Sequence, residues 1–152
     1  MAQPAALTES NDDHDIGGLN DIVGFHIRLA HVAVYRHFTE TFADLDLTQK
    51  QVSVMWLVGD HPGISQIEVG QRLQMDRATT MTIVNRLQER EFLRRERSTS
   101  DARKQALFLT EAGGEALATA KGRIAAHEAW LKGRFSPDEV KKLVEMLARI
   151  HD

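Results

Sequence analysis

The side chains best equipped for chemistry in this sequence are cationic and crowded into one stretch. Between Arg72 and Lys104 stand nine basic and five acidic residues, a local charge of +4, whereas residues 1–71 sum to −7 and the part after Lys104 is balanced. The formal net charge of −3 therefore conceals a basic segment. Eight of its nine cations are arginines, whose planar fork of donors fits phosphate oxygens and base edges. The chemistry in view is recognition of a polyanion. Charge alone does not separate such a partner from an ordinary solvated face, so the local structure of the segment has to decide.

Other chemistries find little support. There is no cysteine, which excludes disulfides, thiolate metal sites and thiol redox sensing. No G-x-S-x-G elbow and no glycine-rich phosphate loop is present, so an enzyme would have to assemble its site from scattered Ser, His and Asp. No cofactor is expected. Seven histidines (His14, His26, His31, His37, His61, His127 and His151) occur, none in a helical i,i+4 ligand motif, and a metal site would need residues converging from distant parts of the chain.

These residues need elements to hold them. With 152 residues and 42% hydrophobic content the chain fits one domain with a real core. Residues 1–18, with Pro4, Gly17, Gly18 and four acids, read as a disordered arm. That arm lacks the basic start and apolar stretch of a signal peptide, and no run is long enough to cross a bilayer. A cytoplasmic protein with no membrane partner is the expectation. Residues 21–43 predict a long helix with two apolar rows, Ile22/Phe25/Leu29/Val32 and Ile27/Ala30/Val34/Phe38. Two rows need two partners: its own domain and, we expect, a second copy of the chain.

Thr48 with Gln51 predicts a capping box for the next helix, which Gly59-Asp60-His61-Pro62-Gly63 ends. Ser65 with Glu68 predicts another box for a short helix over 66–73, and Asp76 caps a longer one over 77–90. A short helix, a tight turn and a longer polar-faced helix make a helix-turn-helix. In its second helix Ile83, Val84 and Leu87 face inward, leaving Arg77, Thr79, Thr82 and Arg86 outward. Residues 92–97 and 105–109 predict a hairpin with a basic tip. Thr110 caps a helix whose Leu117, Ala120, Ile124, His127 and Leu131 form a seam, on which His127 is expected to be packed and hydrogen-bonded. Ser136 caps the last helix, with Pro137 at its first turn and Glu139 completing a capping box, and Val140, Leu143, Val144, Leu147 and Ile150 form its stripe.

The order helix, helix, helix-turn-helix, hairpin, long helix, helix resembles the MarR family from about Leu19 onward. The strongest element is Asp101-Ala102-Arg103 followed after five residues by Leu109-Thr110, similar to that family's wing signature D-x-R-x5-L-T. The resemblance implies a mainly α fold with a small β-hairpin wing: a winged helix-turn-helix lobe over 48–109, and dimerisation helices over 19–47 and 110–152. It further implies a homodimer that binds double-stranded DNA at a pseudo-palindrome and regulates transcription, as a repressor released by a small molecule. Arg103 is then the wing arginine in the minor groove, with Lys104 beside it and Asp101 orienting its basic neighbours. Arg77, Ala78, Thr79 and Thr82 face the major groove, with Arg86 toward the backbone and Ser65 and Gln66 among the DNA-binding residues. Gln74 and Glu91 stand where the family commonly has glycine, so either the helix ends are shaped differently or a strained backbone is tolerated.

The same resemblance implies an effector cleft near the dimer helices. Phe25, His26, Leu29, His31, Tyr35 and Trp56 are the candidate lining, with Arg28 for a carboxylate or phosphate. The effector expected by analogy is an aromatic acid or its coenzyme A thioester. An aromatic stripe at helical spacing is more often the mark of plain core. A metal-responsive regulator of the same fold and a winged module that binds protein stay open as alternatives. Salt separates the last from a DNA binder, because only counterion release gives a steep log-log slope.

Overall fold

A computed structural model describes residues 15–101 and 103–152. The chain divides into two compact units, Met1–Tyr35 and Arg36–Asp152. In the first, a short 3-10 helix at Gly17–Asp21 leads into α1, Val23–Thr41, which continues into the second unit. The expected disordered arm is corrected at its end. Gly17 and Gly18 lie in that 3-10 helix, where Gly17 takes φ +59° and donates its N–H to the Asp15 carboxylate at 2.8 Å; residues 1–14 lie outside the described residues.

The second unit continues with α2 (Gln49–Asp60), α3 (Gln66–Arg72), α4 (Arg77–Glu89), β1 (Leu93–Arg97), β2 (Gln105–Leu109), α5 (Glu111–Lys132) and α6 (Pro137–His151). This is a mainly helical fold with one antiparallel hairpin, registered from Leu93 opposite Leu109 to Arg97 opposite Gln105. The hairpin is joined to the rest by a bridge that sequence periodicity did not reveal. Gly63 N–H donates to Leu107 O at 2.8 Å and Leu107 N–H to Ile64 O at 2.9 Å, with Ser65 paired to Ala106.

Each predicted cap is in place, because a short polar side chain just ahead of each apolar run satisfies an N–H that the first turn leaves open. Thr48 and Ser65 form full capping boxes with Gln51 and Glu68. Asp76 accepts from Thr79 N–H, Thr110 from Gly113 N–H and Ser136 from Glu139 N–H. The predicted box at Ser136 is reduced to its first half, Glu139 N–H to Ser136 Oγ at 3.2 Å.

The core lies among α2, α4, β1, β2 and α5, with Val54, Met55, Val58, Val84, Leu87 and Leu107 fully buried. The seam of α5 faces inward through Leu117, Ala120 and His127. Neither predicted row of α1 is covered along its length: Ile22, Ile27, Leu29 and Val32 are 40% exposed or more, and Phe38 is the helix's buried residue. On α6 no residue is buried. The apolar stripe of α6 keeps the predicted helical period and stays exposed among the described residues.

Candidate nucleic-acid interface

Helix α4 is held as expected. Thr80, Ile83, Val84 and Leu87 are buried, which leaves Arg77, Ala78, Thr82 and Arg86 exposed. Gly70 makes the α3–α4 approach possible, since a Cβ there would lie 2.9 Å from Thr80 Oγ1. The two helix ends flagged in the sequence are strained and closed the same way. Gln74 and Glu91 take φ 53° and 62°, at a cost of about 1 kcal/mol each. In return Met75 N–H reaches Gly70 O and Phe92 N–H reaches Leu87 O, both at 2.9 Å, the six-to-one bonds that satisfy open helix carbonyls. Gln74 Nε2 also donates to His151 O at 3.0 Å, and Glu91 O accepts from Thr110 Oγ1 at 2.5 Å.

The predicted contact residues divide by what their polar atoms already do. Ser65 is 7% exposed, and its hydroxyl accepts from Glu68 N–H at 3.1 Å and donates to Glu68 Oε2 at 3.2 Å. Thr79 donates its hydroxyl to Asp76 Oδ2 at 3.0 Å, and Thr82 donates to Ala78 O at 2.9 Å. With these bonds made, neither hydroxyl has a proton left to donate. The cap carboxylates are held below their usual range. Thr79's N–H and hydroxyl do this for Asp76; for Glu68 it is Ser65's N–H and hydroxyl, helped by Arg72 and Lys104. In the hairpin turn, Asp101 Oδ1 accepts from Arg103 N–H and Asp101 O from Lys104 N–H, each at 3.0 Å. Asp101 thus fixes the backbone that carries Arg103 and Lys104, both exposed.

Sequence reasoning missed the residue that ties these pieces together. Arg95, half-buried on β1, donates to Asn85 Oδ1 at 2.6 Å, to Gln88 Oε1 at 2.7 Å and to Gln66 Oε1 at 3.0 Å. One guanidinium therefore joins the wing to α4 and to the first residue of α3. The only sequence signal was an arginine on the inward-alternating side of a strand, opposite Leu107. Arg90 is likewise structural, donating to Asp46 O at 2.5 Å with its guanidinium over the Phe92 ring at 4.8 Å. The other seven cations of the segment, Arg72, Arg77, Arg86, Arg94, Arg97, Arg103 and Lys104, are exposed.

The effector candidates fall in both units. In the first, His26 Nε2 lies 2.7 Å from Asn20 O, Arg28 covers the Phe25 ring at 5.1 Å, and His31 and Tyr35 rings are 6.2 Å apart. Leu29 is 41% exposed. In the second, Trp56 is half-buried with Lys121 Nζ 4.7 Å from its ring. Among the described residues no group of three or more His, Asp or Glu could hold a metal ion. His127 is packed and hydrogen-bonded, its Nδ1 2.7 Å from His37 Nδ1 and its ring beside Phe38 and Trp130. Burial, and then His37, pushes its pKa down.

A helix-turn-helix with a basic wing defines the class, and sequence comparison gives the family. The MarR family profile matches residues 47–104, and the chain belongs to the MarR family of non-enzymatic, DNA-binding transcriptional regulators. It is 30% identical over 105 residues to the transcriptional regulator HosA of Escherichia coli O157:H7, covering 69% of this chain and 78% of HosA. It superposes on the transcriptional repressor CouR bound to a 23-mer DNA duplex with TM-score 0.86 and 32% identity, over 91% of this chain and 98% of CouR. CouR bound to p-coumaroyl-CoA matches with TM-score 0.81 and 30% identity, over 91% and 97%. Among the described residues no helix is long and apolar enough to cross a membrane.

Proposed function

We propose that the protein is a homodimeric repressor acting in the cytoplasm, which binds a pseudo-palindromic operator and releases it on binding a small aromatic acid or its coenzyme A thioester. The observation that carries the DNA reading is the Arg95 clamp, which holds the wing, α3 and α4 as one surface with seven exposed cations around it. In this reading Arg77, Ala78 and Thr82 enter the major groove, Arg86 and Gln66 meet the backbone, and Arg103 with Lys104 reaches the minor groove, whose narrow stretches attract arginine. Ser65, Thr79 and Asp101 act by positioning: they cap or orient the elements that make contact.

The exposed stripes of α1 and α6 support pairing with a second copy through the helices over 19–47 and 110–152, which sets two recognition helices about one DNA turn apart. CouR's complex with p-coumaroyl-CoA supports an effector of that class. Phe25, His26, Arg28, Leu29, His31 and Tyr35 are proposed contacts for it in the first unit, and Trp56 is a separate candidate in the second. Release requires that the effector bind the DNA-free arrangement more tightly than the DNA-bound one.

Arg103→Ala tests the wing: operator affinity falls by about 1–3 kcal/mol while the dimer persists, and unchanged binding removes the wing from the interface. Wild-type affinity falls with salt at a log-log slope of about −0.9 per phosphate neutralised. A thermal-shift screen of aromatic acids and their thioesters identifies the effector, since a ligand of the folded state raises the melting temperature. A ligand that raises it and leaves the DNA complex intact contradicts derepression.

A further inference from the structure

Two large apolar side chains stand open on the helix-turn-helix itself, Ile67 on α3 at 45% exposure and Met81 on α4 at 50%. They are not isolated. Both line one groove between α3 and α4, together with Gln66, Arg77 and Ala78. Folding does not call for this floor, because the inward face of α4 is complete with Thr80, Ile83, Val84 and Leu87. Met81 lies one helical turn beyond both Arg77 and Ala78, so the three share a strip of the helix surface.

An apolar floor inside a rim of cationic and amide donors has a specific complement in a DNA major groove. There the thymine C5-methyl is the one apolar substituent, flanked by the O4 acceptor and by the N7 of neighbouring purines, whereas a G·C pair offers polar edges. Methionine is well matched to such a methyl, because its unbranched thioether adapts to the surface it meets without a fixed shape of its own.

We propose that Met81, with Ala78 beside it and Ile67 on the facing helix, is a specificity residue that receives a thymine methyl, so that each half-site carries a thymine opposite the first two turns of α4. The proposal rests on the DNA-binding reading above and sharpens it. Arg77 supplies the polar contact next to that methyl, and the floor selects against a base pair that would bury its polar edge on hydrocarbon.

The test uses the full chain and a duplex enriched by the protein itself from a random pool. Each thymine of the half-site is replaced in turn by deoxyuridine, which deletes the methyl and keeps the pairing. At one position per half-site the wild-type affinity falls about fourfold, the effect of burying one methyl, and replacing both symmetry-related thymines multiplies the loss. Met81→Gln has nearly the helix propensity of the native residue; a circular dichroism melt confirms its fold, and it binds thymine and deoxyuridine duplexes equally at that position. Deoxyuridine without effect throughout an enriched, tightly bound duplex overturns the proposal and leaves the regulator reading standing. A half-site lacking thymine, or a Met81→Gln chain that keeps the preference, does the same. Failure to enrich any duplex overturns both.

Discussion

Helices α4 and α6 carry the same kind of apolar periodicity and meet opposite fates. In α4, Ile83, Val84 and Leu87 are 8% exposed or less, whereas in α6 Val144, Leu147 and Ile150 stand 61%, 42% and 65% exposed. A period of 3.6 residues fixes which face of a helix is apolar. It carries no information on whether the cover comes from the same chain. α4 sits between the hairpin and α2 and finds its cover locally; α6 follows the last turn of the fold and does not.

The sharpest way to break this contrast is to make one substitution in both helices. Leu87→Ala is expected to lower the stability of the fold by about 2–5 kcal/mol, as emptying a packed site does. Leu147→Ala, measured in urea at protein concentrations where subunits are separated, should change stability by less than about 0.5 kcal/mol and appear as weaker self-association in sedimentation equilibrium. Equal losses in the two variants at every concentration would erase the difference between the helices. The covered side extends past the end of α4. A Cβ on Gly113 would lie 2.0 Å from Phe92 O, so Gly113→Ala should cost about 1–3 kcal/mol through forced backbone movement, seen as a lower thermal midpoint.

Two smaller effects sharpen the picture. Glu91→Gly relieves the positive φ that closes α4 and should raise stability by up to about 1 kcal/mol; a lower urea midpoint would mean that the Glu91 side chain does more than occupy a turn. His127 titrates below its ordinary 6.5 because it is buried. The unfolded chain therefore binds the proton more readily than the folded one, so stability is full above about pH 6.5 and declines as pH falls below it. His127→Gln should flatten that decline in melts between pH 7.5 and 5.5, and an unchanged slope would assign it to other groups.

Most local structure was legible because its causes are local. Thr48, Ser65, Asp76, Thr110 and Ser136 each sit next to the N–H they satisfy, and Gln74 and Glu91 take left-handed conformations where the family pattern calls for glycine. What escaped was non-local. The three acceptors of Arg95 lie 7, 10 and 29 residues away, and no spacing rule links them. Counting nine cations as one basic surface also overstated it, since Arg90 and Arg95 point their donors into the protein. The family pattern offers Ser65 and Thr79 as contacts, but the structure gives their hydroxyls to the helix starts.

The single guanidinium of Arg95 makes a swivelling finger into a fixed tooth. A β-hairpin tied to the helices beside it by that side chain and by the backbone bridge at Leu107 turns with them as one piece; in the dimer proposed above, the spacing between copies is then what an effector would have to change to disengage the teeth from their rack.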